Sequence, residues 1–272
     1  MKRHVFHYTA EELTPFIDWS YLLHAWGVNG TLHAETAQEL ISDAREILLA
    51  AGDKCCAHAL FALCDATGND DDIIIEGTRL PLLRQQHCVE GKPNMCLSDF
   101  LSPYGDKIGL FATTVDGTFG NEYRADDYKR IIANVLADRL AEAAATLMHR
   151  TVRTGKEFWG YSPCEHLTVE ELNREEYQGI RPAVGYPSLP DQSIIFIIDK
   201  LLQLADIGIR LTSNGAMFPH SSVCGLMFSH PAARYFGVGN ISREQLHDYA
   251  KRRGLPANDI ARFLTKNTQE SR

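Results

Sequence analysis

Three groups of side chains in this 272-residue chain are of types that do chemistry. Cys55, Cys56 and His58, with Cys64 beyond, bring together thiols and an imidazole, the ligands of a zinc site. Zinc sites draw their ligands from spaced pairs, and adjacent cysteines point their side chains apart, so this cluster reads as buried thiols packing as small hydrophobes. His220 and His230 flank SSVCGLMFS and would meet across a hairpin, but two histidines without a third ligand do not make a metal centre. The third group is RPAVGYPSLP at 181–190, where three prolines exclude a helix and disfavour a central strand. It is either a rigid connector or a loop held stiff so that Arg181, Gly185 and Tyr186 can grip something.

Bulk properties narrow the partners. With 44% hydrophobic residues the chain can bury a sizeable core, in one large domain or two small ones. The formal net charge of -8 is spread along the sequence without a dense Lys/Arg block, which removes the electrostatic footprint of a nucleic-acid binder. The start, MKRHVFHYTAEEL, has charges but no apolar run after them, and the longest large-hydrophobic run, IIFII at 194–198, is far too short to span a bilayer. Seven cysteines without a repeating spacing predict reduced thiols and a cytoplasmic protein. No GxGxxG after a strand, Walker loop, GxSxG elbow or HExxH occurs.

The elements that must carry these groups are of mixed type. Leu40, Ile41, Ala44, Ile47 and Leu48 predict an amphipathic helix over 35–51, stopped by Gly52. Ile131, Ile132, Val135, Leu136, Leu140, Ala144, Leu147 and Met148 predict a long helix from Asp126 to Val152. Thr168 with Glu171 forms a capping box for a helix running toward Tyr177, and Ser242 with Gln245 another for a helix through Arg253, ended by Gly254. The stretch 193–208 reads as helix by its length and by the spacing of Ile194, Ile198 and Leu201. Strands are expected at 72–76, 108–115, 208–214, 224–230 and 235–241. Without regular βαβ alternation the class is α+β, a single domain over 1–272 with sub-lobes at 1–120 and 121–272.

Read with its neighbours, the proline-rich loop carries a resemblance. REEYQGIRPAVGYP at 174–187 resembles the RPxxGYP signature of the activation domain of cobalamin-dependent methionine synthase. FIDWSYLLHAWG at 16–27, LRQQ at 83–86, CLSDF at 96–100, ADRLAEAAATLMHRTVR at 137–153, and the segments 159–182 and 217–241 are similar to that family in the same order. The resemblance implies a curved domain with a bent antiparallel sheet surrounded by helices. It also implies a shallow groove that binds S-adenosylmethionine for reductive methylation of inactive Co(II) cobalamin to methylcobalamin. The electron comes from a flavodoxin or similar donor, and the cobalamin is carried by a partner, since no DxHxxG motif occurs in this chain.

Residue by residue, Arg181 offers a permanently charged fork suited to the ligand's carboxylate. Gly185 and the small Ala183 allow close backbone approach, and backbone groups of 183–186 could read the adenine edge. Tyr186 and Tyr235 supply an aromatic face and a hydroxyl for stacking or a ribose contact, or else pack in the core. Asp18 either caps a helix or, as the resemblance implies, contacts the ligand's amino group. Glu142 and Glu175 match family positions near the sulfonium and methionine end, and His220 and Ser221 match positions near the corrinoid face.

Two departures stand out: after GYP the family continues with a CPDH-like or CPEH-like segment, whereas Leu189 and Gln192 here replace its cysteine and histidine. The cysteine pair also lacks the glycine-rich context of the zinc cysteines in the homocysteine module. The reading that results is a stand-alone activation subunit of a split methionine synthase, a methyltransferase component that positions a methyl donor. Alternatives are a reactivator of another corrinoid methyltransferase, a non-catalytic S-adenosylmethionine-binding docking module, and, least supported, a zinc hydrolase on His220 and His230.

Overall fold

The sheet at the centre of the molecule is built around one long strand. The computed structural model describes residues 1–28, 34–52, 54–86 and 91–264, so Cys88 lies outside the described residues, as does the side chain of Cys55. Strand β2 (Cys55–Asn69) pairs antiparallel with β1 (Lys2–Thr9), with β3 (Asp72–Ile75) and, over ten registered residues, with β5 (Asp106–Val115). Strand β4 (Thr78–Pro81) extends one edge and β8 (Ser222–Met227) forms the other, in the order β4-β3-β2-β5-β8 with β1 paired to β2. The sheet curls into an antiparallel half-barrel.

Helices cover both faces of the sheet, and the residue alternation along the strands shows how. Ala57, Ala59 and Phe61 of β2, with Phe111 and Val115 of β5, join one core cluster, whereas Leu60, Ala62, Cys64, Leu110 and Ala112 join another. The first cluster lies under α1 (Ala10–Leu13), α2 (Trp19–Ala25), α3 (Ala34–Ala51) and the 28-residue α4 (Asp127–Thr154), which is about 42 Å long. The second lies under α6 (Ile195–Leu202) and the segment after it. Small residues let α4 approach closely: Ala141, Ala144 and Ala145 are buried, and the Thr113 hydroxyl donates to the Ala141 carbonyl at 2.9 Å.

Several boundaries differ from the sequence expectation for local reasons. The 168–171 capping box forms, but α5 (Val169–Asn173) stops short of Tyr177, and Glu175 then takes a left-handed backbone with φ 59°. The stretch 193–208 is helical but broken at Gln203, also left-handed. Ser242 caps α7 (Arg243–Arg253), while the Gln245 side-chain amide donates to the Arg84 carbonyl at 2.6 Å. Gly254 ends α7 with φ 66°, and α8 (Ala257–Phe263) follows. Of the carboxy-terminal strands, 208–214 shrinks to β6 (Arg210–Leu211), paired with β7 (Met217–Phe218), and 235–241 is not a strand. There Val238 N–H donates to the Pro187 carbonyl, so this segment lies against the proline-rich loop.

The hairpin between His220 and His230 does not form, because the strand between them pairs with β5. The two histidines therefore flank one extended segment. His220 sits edge-on to Phe218 with ring centroids 6.0 Å apart, and His230 Nδ1 accepts from the Ala232 N–H at 3.1 Å. Among the described residues no group of three or more His, Cys, Asp or Glu side chains is arranged to hold a metal ion, and no helix is long and apolar enough to cross a membrane.

Candidate functional site

Strand β8 is the open edge of the sheet, and the proline-rich segment runs along it. Ile180 and Phe228 exchange both backbone hydrogen bonds at 3.0 and 2.9 Å, Leu226 N–H donates to the Pro182 carbonyl at 3.0 Å, and Val184 N–H donates to the Cys224 carbonyl at 2.9 Å. Pro182 offers only its carbonyl to this short ladder, as a proline on a sheet edge must. Gly225 makes the approach close: a Cβ there would lie 2.2 Å from the Pro182 carbonyl oxygen and 2.8 Å from Ala183 Cα. The stretch is thus neither a free connector nor a central strand, but an added edge segment that turns away at 185–189.

In that turn Gly185 has φ 86°, and a Cβ on it would sit 2.7 Å from Gln192 Oε1. The two departures from the family pattern have packing roles here. Leu189 is buried in the second core cluster, and the Gln192 amide donates to the Gly215 carbonyl at 2.8 Å.

Beside this segment lies a cleft of about 620 Å³, within the range of small-molecule sites. Asp18, Glu142, Glu175, Arg181, Ala183, Tyr186 and Tyr235 all line it, brought from α2, α4, the end of α5, the edge segment and the 235–241 stretch. Gly185 is not part of the wall and acts one residue away, through the turn. His220 and Ser221 lie outside the wall; the Ser221 hydroxyl donates to Asp138 Oδ1 at 2.7 Å.

Arg181 is fixed before any ligand arrives. Its Nη2 donates to Thr146 Oγ1 at 2.9 Å, its Nη1 to the Tyr177 hydroxyl at 3.2 Å, and its backbone N–H to the Tyr235 hydroxyl at 3.0 Å. Tyr186, 53% exposed at the rim, donates its hydroxyl to Glu142 Oε1 at 3.0 Å. Partial burial and the Glu142 carboxylate push this phenol up to about 12, so it remains a donor. Burial also raises the Tyr235 phenol, with Tyr177 adding and Arg181 opposing. Asp18 caps α2, accepting from the Ser20 N–H at 3.0 Å and the Ser20 hydroxyl at 2.6 Å, and also lines the cleft. Burial raises the carboxyl of Glu175, with Arg181 pulling it back down.

The sequence reading passed over Tyr21, Arg139 and Thr146, which share the same walls. The signal was present in helix spacing: Arg139, Glu142 and Thr146 recur at i, i+3 and i+7, one face of α4. Arg139 lies over the Tyr21 ring with its guanidinium carbon 4.7 Å from the centroid. The cleft therefore sets three carboxylates against two guanidiniums, with aromatic rings at its rim. Such a site suits a molecule carrying one carboxylate, a surplus of positive charge and a flat ring system.

Residues 9–254 match the family model described as the vitamin B12 dependent methionine synthase, activation domain. Among solved structures, the chain is similar to the MetH reactivation domain crystallised with AdoHcy. The two are 35% identical with a TM-score of 0.92, over all of this chain and 91% of that one.

Proposed function

This chain belongs to the vitamin B12 dependent methionine synthase activation domain family, and from that premise we propose that its cleft binds S-adenosylmethionine and presents the methyl group to a corrinoid held by a partner protein. The observation that carries the reading is the meeting of a pre-fixed Arg181 fork with Asp18, Glu142 and Glu175 in one cleft. S-adenosylmethionine has one carboxylate, one ammonium and one sulfonium, so its surplus positive charge complements the surplus carboxylate. A related structure crystallised with the demethylated product of that compound supports the same choice.

In this reading Arg181 takes the carboxylate, for which a planar fork is the best-matched side chain. Asp18 faces the ammonium, Glu142 and Glu175 offset the sulfonium charge, and Tyr186 and Tyr235 border the nucleoside. Ala183 leaves room for the ligand, and Gly185 shapes the turn that delivers Tyr186. A corrinoid bound on its partner and reduced by one electron would supply the nucleophile for the sulfonium methyl group, whose S–C bond breaks to leave S-adenosylhomocysteine. This chain needs no general base for that step. Its contribution is proximity and orientation, which can supply much of a barrier reduction.

The chain acts, on this proposal, as a separate activation subunit of a split methionine synthase, with a flavodoxin or similar protein as electron donor. It works in the cytoplasm, where Cys64, Cys96, Cys164 and Cys224 stay reduced.

The test is spectroscopic. Mixed with a cob(II)alamin-loaded corrinoid protein, a low-potential reductant and S-adenosylmethionine, the chain is expected to convert the visible spectrum to that of methylcobalamin. A spectrum that stays unchanged although the chain binds S-adenosylmethionine would reduce it to a binding module.

A further inference from the structure

Three side-chain hydroxyls, from Thr146, Tyr177 and Tyr235, accept hydrogen bonds from Arg181. Tyr177 is the most connected of them. Its hydroxyl accepts from Arg181 Nη1 at 3.2 Å, while the Tyr235 hydroxyl accepts the Arg181 backbone N–H at 3.0 Å. Two phenols thus hold Arg181, Tyr177 at the guanidinium and Tyr235 at the main chain.

The Tyr177 ring is itself immobilised. It is 7% exposed, the His149 ring meets it edge-on with centroids 5.0 Å apart, and the Arg153 guanidinium lies 4.4 Å from its centroid. Arg153 cannot shift to release it, because it is fully buried and closed in a fork with Glu165, Nε to Oε2 at 2.9 Å. Thr146 completes the grip on the other nitrogen: its hydroxyl proton goes to the Glu142 carbonyl at 3.1 Å, which turns an oxygen lone pair toward Arg181 Nη2.

We propose that Tyr177, with Thr146 as its counterpart, is a positioning residue that holds the Arg181 fork in its binding rotamer, so that affinity for the amino-acid end of the ligand depends on two hydroxyls that act through Arg181. This rests on the cleft binding S-adenosyl compounds. A long arginine left unanchored would have to be ordered at the moment of binding, at a cost in affinity.

The experiment is a two-ligand comparison by calorimetry on the wild type, Tyr177→Phe and Thr146→Val. The ligands are S-adenosylhomocysteine and 5′-methylthioadenosine, a nucleoside thioether that lacks the amino-acid end. Phenylalanine keeps the ring against Arg153 and removes only the hydroxyl. Each variant should bind S-adenosylhomocysteine on the order of tenfold more weakly, the scale of one lost hydrogen bond to a charged group, and 5′-methylthioadenosine within about twofold of wild type. Thr146→Val is scored by the same ratio and decides the matter alone should Tyr177→Phe fail to fold. Parallel losses for both ligands, or no loss for S-adenosylhomocysteine, would overturn the inference. A wild type that binds neither compound would instead overturn the proposed function.

Discussion

His149 shows how much of the site's rigidity is stored one layer behind the cleft. Its ring is fully buried on α4, with Nε2 3.0 Å from the Tyr161 hydroxyl, and burial, then Arg153 and Arg181, push its pKa well below the ordinary 6.5. Below pH 6.5 the unfolded chain takes up a proton that the folded chain refuses, so stability must fall as the pH drops from 6.5 toward the depressed folded value. For one such group the slope reaches about 1.4 kcal/mol per pH unit. His149→Gln should flatten urea-measured stability between pH 6.5 and 5 relative to wild type, and an unchanged slope would show that this histidine is not held neutral. From the sequence, Arg181 and Tyr186 stood out because prolines isolate them in a stiff loop. His149, Arg153 and Tyr177 did not, since a polar residue inside a helical pattern looks the same whether it faces water or a buried partner.

At the scale of elements, the edge segment 180–184 delivers Arg181 only because β8 carries a glycine opposite it. Gly225→Ala places a methyl group 2.2 Å from the Pro182 carbonyl oxygen, 2.8 Å from Ala183 Cα and 2.9 Å from the Phe111 ring. We expect a loss of roughly 1–3 kcal/mol, the scale of overpacking, in chemical denaturation, together with weaker ligand binding. Unchanged stability would mean that the segment can leave the sheet edge freely. Helices α3, α4 and α7 were legible because one apolar stripe or a cap marks each of them. Strand β2 was not: from Cys56 to Cys64 it packs core residues on both faces, so the polar alternation of a half-exposed strand never appears, and the cysteines and histidine of CCAHALFALC draw attention to metal chemistry instead. The 235–241 stretch had the composition of a strand but spends its hydrogen bonds on the proline-rich loop, a tertiary choice that local pattern does not encode.

Across the whole molecule, α7 is fastened by charge at two points. Arg253 Nη1 donates to Asp191 Oδ2 at 2.8 Å, and Tyr249 donates to the same oxygen at 2.7 Å, with all three side chains nearly excluded from water. On the other flank Arg252 joins Asp72 and the Leu82 carbonyl, which covers the β3–β4 edge. Replacing Arg253 with alanine leaves a buried carboxylate without its cation, for which a cost of about 3–5 kcal/mol is expected in equilibrium unfolding. A change below about 1 kcal/mol would place the pair on the solvent-screened scale of surface ion pairs. Asp191 follows directly on the proline-rich stretch, so the same anchor that holds α7 also fixes the far end of the segment that carries Arg181.

On the proposed function, a pre-fixed guanidinium at 181 grips the carboxylate of a sulfonium ligand in the cleft. Calorimetric titration of S-adenosylmethionine into the wild type and Arg181→Ala tests it most directly. Saturable one-site binding to the wild type is expected, weakened at least about thirtyfold in the variant, the loss expected for truncating one partner of a buried charged pair. Equal affinity in the two proteins, or no uptake by the wild type, would contradict it.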